Sequence, residues 1–522
     1  MFIKKSPIAS DWDIISLCIC MAALAVCSVL SLPLPSIACA QDIGVMLDAG
    51  WRYYQGQQCH VDYYSPLGPL FALLPGILFK LFGPAYSSLK ILPVSVSAII
   101  SVWMLALTRR MVPKPVAVVS SLAVGLFSGG LFHPGFDYHA LTFATFYNRI
   151  GYGLLSIAAT AALLPRALDK KSNKICLDSS LCVALCLMLF LKINFFAAGC
   201  LLAFGSMFLY NRDNKELMYS LAAGVLVGFY FAVGIGFRFD LMVRDLVLAL
   251  SSREGSTANL FFYPLRNFMA NADYFTVVVA LTVLVVTVYV NKPFMRQATL
   301  KAIFVLWLST TIGFALTLMQ SHGDGRCIPT ILTGTVVMLA WLSGKNGCSK
   351  NIKNICCAGI FAVSGFIIIP HLLAYKFLMS LRTDQFANEF TCAPIKEWYV
   401  GTFNSWGEDF VPLINEATKL VREKSSSKES LQYIDMANNF NFALGMRSPR
   451  KSMLWWDDRS TYSMKKHPTE EDFQDTDLIL LPTTRPIQFQ PIWWSIYGPY
   501  VTKNYEKAAC STNFLLLRKK RS

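Results

Sequence analysis

The sequence predicts a polytopic α-helical membrane protein with a small α/β or α+β unit at its C-terminal end. Three observations carry the prediction. Of 522 residues, 54% are hydrophobic and 15% are charged, against about a quarter charged in a soluble chain. Between Ile14 and Tyr375 apolar runs recur, each about 17–22 residues long and able as a helix to cross about 30 Å of hydrocarbon. After Lys376 the composition turns soluble. The expected organisation is a membrane domain over 1–376 and an extracytoplasmic domain over 377–522.

The net charge of +15 does not imply nucleic acid. The basic residues sit in short connectors between apolar runs, which is the orientation signal of cytoplasmic loops. Met1–Lys5 is basic, so the N-terminus is expected inside. The run from Ile14 to Leu32 is long for the apolar region of a signal peptide, although Ile37-Ala38-Cys39-Ala40 resembles a cleavage site. It is read as an uncleaved first span. The next basic connectors are Arg109–Lys114, Arg166–Lys174, Asn211–Lys215, Lys292–Lys301 and Lys345–Lys353.

Parity then decides the first outer loop, 34–86. Two apolar runs, 66–84 and 87–108, separate it from Arg109, and only an odd number can cross. The first holds Pro66, Gly68, Pro69, Pro75 and Gly76, which break or kink a helix. It is expected to be juxtamembrane or re-entrant. The remaining spans fall near 87–108, 116–132, 147–165, 175–191, 194–210, 218–237, 273–290, 302–319, 327–343 and 355–375, for a total of about eleven.

In the C-terminal part, Val411, Leu413, Ile414, Ala417, Leu420 and Val421 have helical spacing. Leu431–Met436, Leu478–Leu481 and Phe514–Arg518 read as strands. Trp455-Trp456, Trp493-Trp494, Tyr497 and Tyr500 could stack on sugar rings; the core of a small domain is the favoured reading. Most of the fifteen cysteines lie in spans as packing residues. Cys39, Cys59, Cys392 and Cys510 fall on the outer side, where an oxidising compartment would permit Cys39–Cys59 and Cys392–Cys510 disulfides, one of the three pairings that four cysteines allow.

Polar groups gather on that side. The first loop supplies Asp42, Asp48, Arg52, His60 and Asp62. The second reads His133-Pro-Gly-Phe-Asp137-Tyr138-His139, followed by Tyr147-Asn148-Arg149. Later loops hold Arg238, Asp240, Arg244, Asp245, Arg253 and Glu254, then His322, Asp324 and Arg326. A loop charge is more often solvated than catalytic. The recurrence of acid, imidazole and guanidinium opposite the basic connectors raises the functional reading. A carboxylate there can act as general base on an acceptor hydroxyl. Arg or Lys can hold a lipid phosphate as leaving group. His133, Asp137 and His139 come nearest to a ligand set, which leaves a divalent cation open as cofactor. The weighed alternative is an ordinary loop with local caps, and no metal ligands are assigned.

Asp42, Tyr53-Tyr54, Gly56, Asp62-Tyr63-Tyr64, Pro66, Gly68-Pro69-Leu70 and Leu81-Phe82-Gly83 resemble the first outer loop of GT-C glycosyltransferases. The nearest branch is that of protein O-mannosyltransferases and aminoarabinose transferases. The resemblance covers about 1–375 and is specific in the first loop. It implies inverting transfer of a sugar from a polyprenyl-phosphate carrier to a lipid, glycan or protein acceptor, at the outer face of a bacterial inner membrane. Asp42 falls at the acidic catalytic position and Asp137 resembles a second acidic one. Two features depart from the pattern. The first acidic site is Asp42-Ile43, with one carboxylate, and Ser65 stands where some members carry a basic residue. Phosphate contacts then fall to Arg52, Arg149, Arg244 or Arg326. With Tyr53, Tyr54, Asp62, Asn148 and His322 these form the candidate substrate-binding set. Two other classes remain in view: a transporter or lipid-carrier flippase, which would keep charges at mid-membrane and show repeats, and a non-catalytic assembly factor.

Overall fold

The computed structural model describes residues 11–30, 35–36, 39–134, 136–165, 171–210, 214–252, 257–289, 296–318, 325–343, 350–381, 389–400, 410–435, 438–457, 461–483 and 490–521. A helix stands at every predicted span position: α1 (Trp12–Leu30), then, after two helices of the first loop, α4 (Ile91–Thr108), α5 (Lys114–Gly129), α6 (Phe146–Leu163), α7 (Lys171–Leu189), α8 (Ile193–Met207) and α9 (Asn214–Gly234). Two connecting helices follow, α10 (Phe239–Ser251) and α11 (Thr257–Ala270). Then come α12 (Ala272–Tyr289), α13 (Arg296–Leu318), α14 (Ile328–Ser343) and α15 (Lys350–Ser380). By length and composition three described segments can cross a membrane, Tyr86–Thr108, Thr299–Leu318 and Asn351–Ser380, or up to five if each of two bent pairs is one span. That is fewer than the predicted spans, and length is one reason. α5 and α14 have 16 residues and α8 has 15, which is about 24 Å or less of helix against about 30 Å of hydrocarbon.

α5, α6 and α14 form the buried centre, with nearly every residue of α6 and α14 buried. Small residues permit it. A methyl group on Gly125 or Gly129 of α5 would strike Ser101 or Ser97 of α4, so the two backbones approach closely.

The first outer loop folds as α2 (Ala40–Tyr54) and α3 (Pro69–Phe82). α2 is amphipathic, and α3 begins with Pro69 at its first turn. α3 runs through Pro75 and does not break there. Pro75 packs against Gly50 of α2, and Gly76 against Tyr53. With 14 residues α3 is about 21 Å long, too short to cross, in keeping with the parity of the connectors. The Gly68 and Leu70 N–H groups donate to the Leu191 and Phe190 carbonyls at 3.0 and 2.9 Å, which pins the start of α3 to the α7–α8 turn. A methyl on Gly68 would collide with the Phe190 carbonyl. Gly68→Ala is expected to destabilise the fold by about 1–3 kcal/mol, read as a lowered thermal midpoint in detergent. An unchanged midpoint would mean that the contact is loose.

The C-terminal region contains α16 (Phe410–Lys424), α17 (Phe440–Leu444) and α18 (Gln490–Asn504). The short strands β1 (Pro35–Ser36) and β2 (Tyr63–Tyr64) of the first loop pair in parallel with β3 (Tyr399–Val400) and β5 (Ser452–Met453). The main sheet has order β4 (Leu431–Tyr433), β6 (Leu478–Pro482), β8 (Phe514–Lys519), β7 (Tyr505–Cys510). β4 and β6 are parallel, and the other pairs are antiparallel. The predicted strands and helix lie where they were expected. Trp456, Trp493 and Tyr497 pack with Tyr462 and Phe473 in a buried aromatic core. They are packing residues, not an exposed sugar platform.

The expected disulfides are corrected. Cys39, Cys59, Cys392 and Cys510 are all free thiols. Cys59 is buried against the Leu67 carbonyl and Cys392 against Arg422, whereas Cys510 is exposed. Burial beside other partners leaves neither pair facing one another.

Candidate active site

Asp42 lies in the first turn of α2 and is partly exposed. Its Oδ2 accepts the Thr145 N–H at 2.8 Å, just before α6. Cys39 and Thr145 both adopt left-handed backbone, with φ of 53° and 49°. Such conformations are costly for non-glycine residues and gather at functional sites. At Thr145 the bend directs an N–H to the carboxylate.

Arg149, one turn into α6, is fully buried. It donates to the carbonyls of Gly130, Phe132 and Thr142, and so fixes the loop that precedes its own helix. Arg326, also buried, donates from Nη2 to His133 Nε2 at 3.1 Å, and the same imidazole nitrogen is 3.0 Å from Thr145 Oγ1. Beside Arg149, Asn148 Oδ1 accepts from Lys192 Nζ at 3.0 Å, and Lys192 stands 4.9 Å from the Tyr147 ring centre. Arg149 thus bonds backbone carbonyls and Arg326 an imidazole, and the charges of both act on Asp42. Burial pushes the Asp42 carboxyl above its ordinary range, and the Thr145 N–H and the charges of Arg326 and Arg149 oppose that only in part.

The structure thus gathers Asp42, Asn148, Arg149 and Arg326 of the predicted set, and adds Thr145, His133 and Lys192. Lys192 carried a signal in the sequence: a lysine in a tight turn that the basic connectors predict to lie outside, where basic residues are disfavoured. Thr145 carried none, because its role is a backbone one.

The other candidates stand elsewhere. Asp137 is exposed. It accepts the His139 N–H at 2.8 Å and faces His139 Nδ1 at 2.5 Å, and that N–H bond lowers its pKa. Arg52 is buried and occupied by Asp48 at 2.8 Å, Gln57, the Pro449 carbonyl and Ser452. Tyr53 lies under Lys80 at 4.4 Å, and Tyr54 stacks on Trp51. Asp62 accepts the Gln58 N–H at 2.7 Å. Arg244 pairs with Asp245 at 2.8 Å and covers the Tyr64 ring. His322 lies outside the described residues. No group of three His, Cys, Asp or Glu residues suited to a metal occurs among the described residues. His133 is engaged by Thr145 and Arg326, apart from the Asp137–His139 pair.

These helices, with a first loop folded as two short helices and a C-terminal mixed unit, define a polytopic helical fold. Among solved structures the chain is similar to ArnT from Cupriavidus metallidurans. In the apo state the likeness has 10% identity and a TM-score of 0.52, covering 98% of both chains. For ArnT bound to undecaprenyl phosphate it has 12% identity and a TM-score of 0.53, covering 97% of this chain and 98% of that one. A weaker likeness, to the apo oligosaccharyltransferase of Archaeoglobus fulgidus, has 11% identity and a TM-score of 0.39, covering 96% of this chain and 74% of that one; it carries no argument. At these identities the likeness to ArnT shows the fold alone. No protein-family model and no curated protein matches the sequence.

Proposed function

We propose that the chain is a membrane glycosyltransferase that moves a sugar from a polyprenyl-phosphate carrier to a lipid, glycan or protein acceptor at the outer face of the membrane. One observation carries the reading: the charges of two buried guanidiniums, Arg149 and Arg326, act on the partly exposed carboxylate of Asp42. Clustered buried positive charge favours an anionic ligand, because guanidinium groups form strong charge-assisted hydrogen bonds with phosphate. The donor phosphate supplies it.

The chemistry is a single displacement. Asp42 takes the proton of the acceptor hydroxyl as its oxygen attacks the anomeric carbon. The bond from that carbon to the phosphate oxygen breaks on the opposite face, so configuration inverts. The electron pair stays on the departing polyprenyl phosphate, whose charge Arg326, Arg149 and Lys192 stabilise. No metal is needed for that balance.

A flippase or transporter fits less well. Asp42 and Arg149 stand in the first turns of α2 and α6, and Arg326 just before α14, so the charges mark helix ends and not the mid-membrane of a transport path.

Two results test the reading. Arg326→Gln removes one cation and leaves the carbonyl-bound Arg149 in place. It is expected to raise the KM for a polyprenyl-phosphate sugar about 10- to 100-fold, the worth of one charged hydrogen bond; an unchanged KM contradicts the phosphate role. Because burial raises the Asp42 carboxyl, the base stays protonated to a higher pH than an ordinary aspartate. Transfer is therefore expected to rise with pH along an acid limb displaced above the usual value of 3.8. A flat profile through the acid range contradicts this.

A further inference from the structure

Asn267 and Asn271 stand four residues apart, a spacing that puts two amides on one face of a helix. Both are fully buried. A buried amide is costly unless its oxygen and nitrogen find partners, so the partners show what each one holds. Asn271 is the single residue between α11 and α12, which meet there at 61°. Its Nδ2 donates to the Asn267 carbonyl at 2.7 Å, and Asn267 Nδ2 donates to the Thr317 and Leu318 carbonyls at 3.2 and 3.3 Å. The joint is thereby fastened to the last turn of α13.

The oxygen of the Asn271 amide reaches the site. Asn271 Oδ1 accepts the Gly325 N–H at 2.9 Å and the Cys327 thiol at an Sγ distance of 3.6 Å. These are the residues on either side of Arg326. The orientation of the amide is set, because a flipped side chain would turn its NH2 toward the Gly325 N–H. Gly325 has φ of 66°, a left-handed conformation that glycine adopts without steric cost, and a methyl group there would strike Pro134. Gly325 therefore meets Asn271 through its N–H and Pro134 across its α-carbon. Pro134 is the neighbour in sequence of His133, whose Nε2 is 3.1 Å from Arg326 Nη2. Arg326 is thus held at its backbone by an amide and at its tip by an imidazole. A neutral amide engaged at both its oxygen and its nitrogen is no base and carries no charge for an anion; it fixes the point from which a neighbouring side chain starts.

We propose that Asn271 is a positioning residue for Arg326, fixing through Gly325 and Cys327 the backbone from which the guanidinium meets the donor phosphate. This rests on the phosphate role of Arg326 proposed above; it does not depend on the chemistry of Asp42. Small displacements matter at such a site, because a binding group is effective only when its supports hold it to about half an ångström.

Transfer kinetics of the full chain in nanodiscs test it, with a polyprenyl-phosphate sugar as donor. Asn271→Leu keeps the shape of the side chain and removes both hydrogen-bonding atoms. It is expected to raise the donor KM about 3- to 10-fold, the worth of one neutral hydrogen bond. In an Arg326→Gln chain the same substitution is expected to change KM by less than about twofold, because no guanidinium is left to place. A general loss of folding would instead act equally in both chains and fall on kcat, through the active fraction. Asn271→Ser, whose hydroxyl is one bond short of the amide oxygen, takes the place of the leucine variant if that does not fold, with the same pattern expected. An unchanged KM in a folded Asn271 variant, or an equal rise in both chains, overturns the proposal. Arg326→Gln without any effect of its own defeats the phosphate reading as well. Arg326→Gln with a raised KM, beside an unaffected Asn271 variant, defeats this inference alone.

Discussion

Asp42→Asn is expected to insert and fold as the native chain does and to lose transfer by about two to four orders of magnitude, the contribution of a positioned general base. The asparagine keeps a side-chain oxygen that can accept the Thr145 N–H, which Asp42 Oδ2 accepts at 2.8 Å, so the local fold is retained. The basic lone pair that takes the acceptor proton is gone. Substitution also removes the acid on which both guanidinium charges act, which raises the net positive charge of the cluster. Donor binding should therefore hold or tighten while the rate collapses. The measurement is transfer of a labelled sugar from a polyprenyl-phosphate donor, with kcat and KM separated. A KM effect with kcat unchanged would make Asp42 a binding residue and not the base.

Arg52→Met is expected to cost about 3–5 kcal/mol, the penalty of stranding the partner of a buried ion pair. Arg52 and Asp48 are both fully buried and bonded at 2.8 Å. The same guanidinium donates to the Pro449 carbonyl and to Ser452 Oγ at 3.0 Å each. Around it Trp51 and Gln55 donate to the Met446 carbonyl, and Gln57 to that of Ser448. The C-terminal part of α2, the helix that begins with Asp42, is thereby clamped to the 446–452 segment. The expected result is a large fall in thermal midpoint together with reduced transfer. Asp48→Asn in the same chain should restore part of the stability, because no charge is then left unpaired. A double variant no more stable than Arg52→Met would show that the hydrogen bonds to the C-terminal segment, and not the stranded charge, dominate.

Much of this fold was legible because its signals are local. Apolar run length located the helices, and the parity of basic connectors made 66–84 a juxtamembrane or re-entrant element, where the structure has the 14-residue α3 running unbroken through Pro75. Alternation at Leu478–Leu481 and Phe514–Arg518 located strands. The disulfide expectation failed because compartment chemistry says nothing of side-chain neighbours: Cys59 meets Leu67, and Cys392 meets Arg422. The candidate site divided along the same line. Asp42, Asn148, Arg149 and Arg326 are side chains at helix starts, visible as charges and amides out of place beside apolar runs. Arg52 has the same signature and a different environment, since only the folded chain shows four acceptors around it. Thr145 contributes a backbone N–H set by its left-handed φ, and no side-chain pattern announces that.

The proposed function places a lipid phosphate at the Arg149–Arg326–Asp42 cluster. A cryo-EM structure of the full chain in nanodiscs with added polyprenyl phosphate tests it most directly. The expected result is phosphate density in contact with the Arg326 and Arg149 guanidiniums beside Asp42, with the polyprenyl chain leaving sideways into lipid. No phosphate density at the cluster at saturating lipid, or phosphate density held elsewhere, would contradict the account.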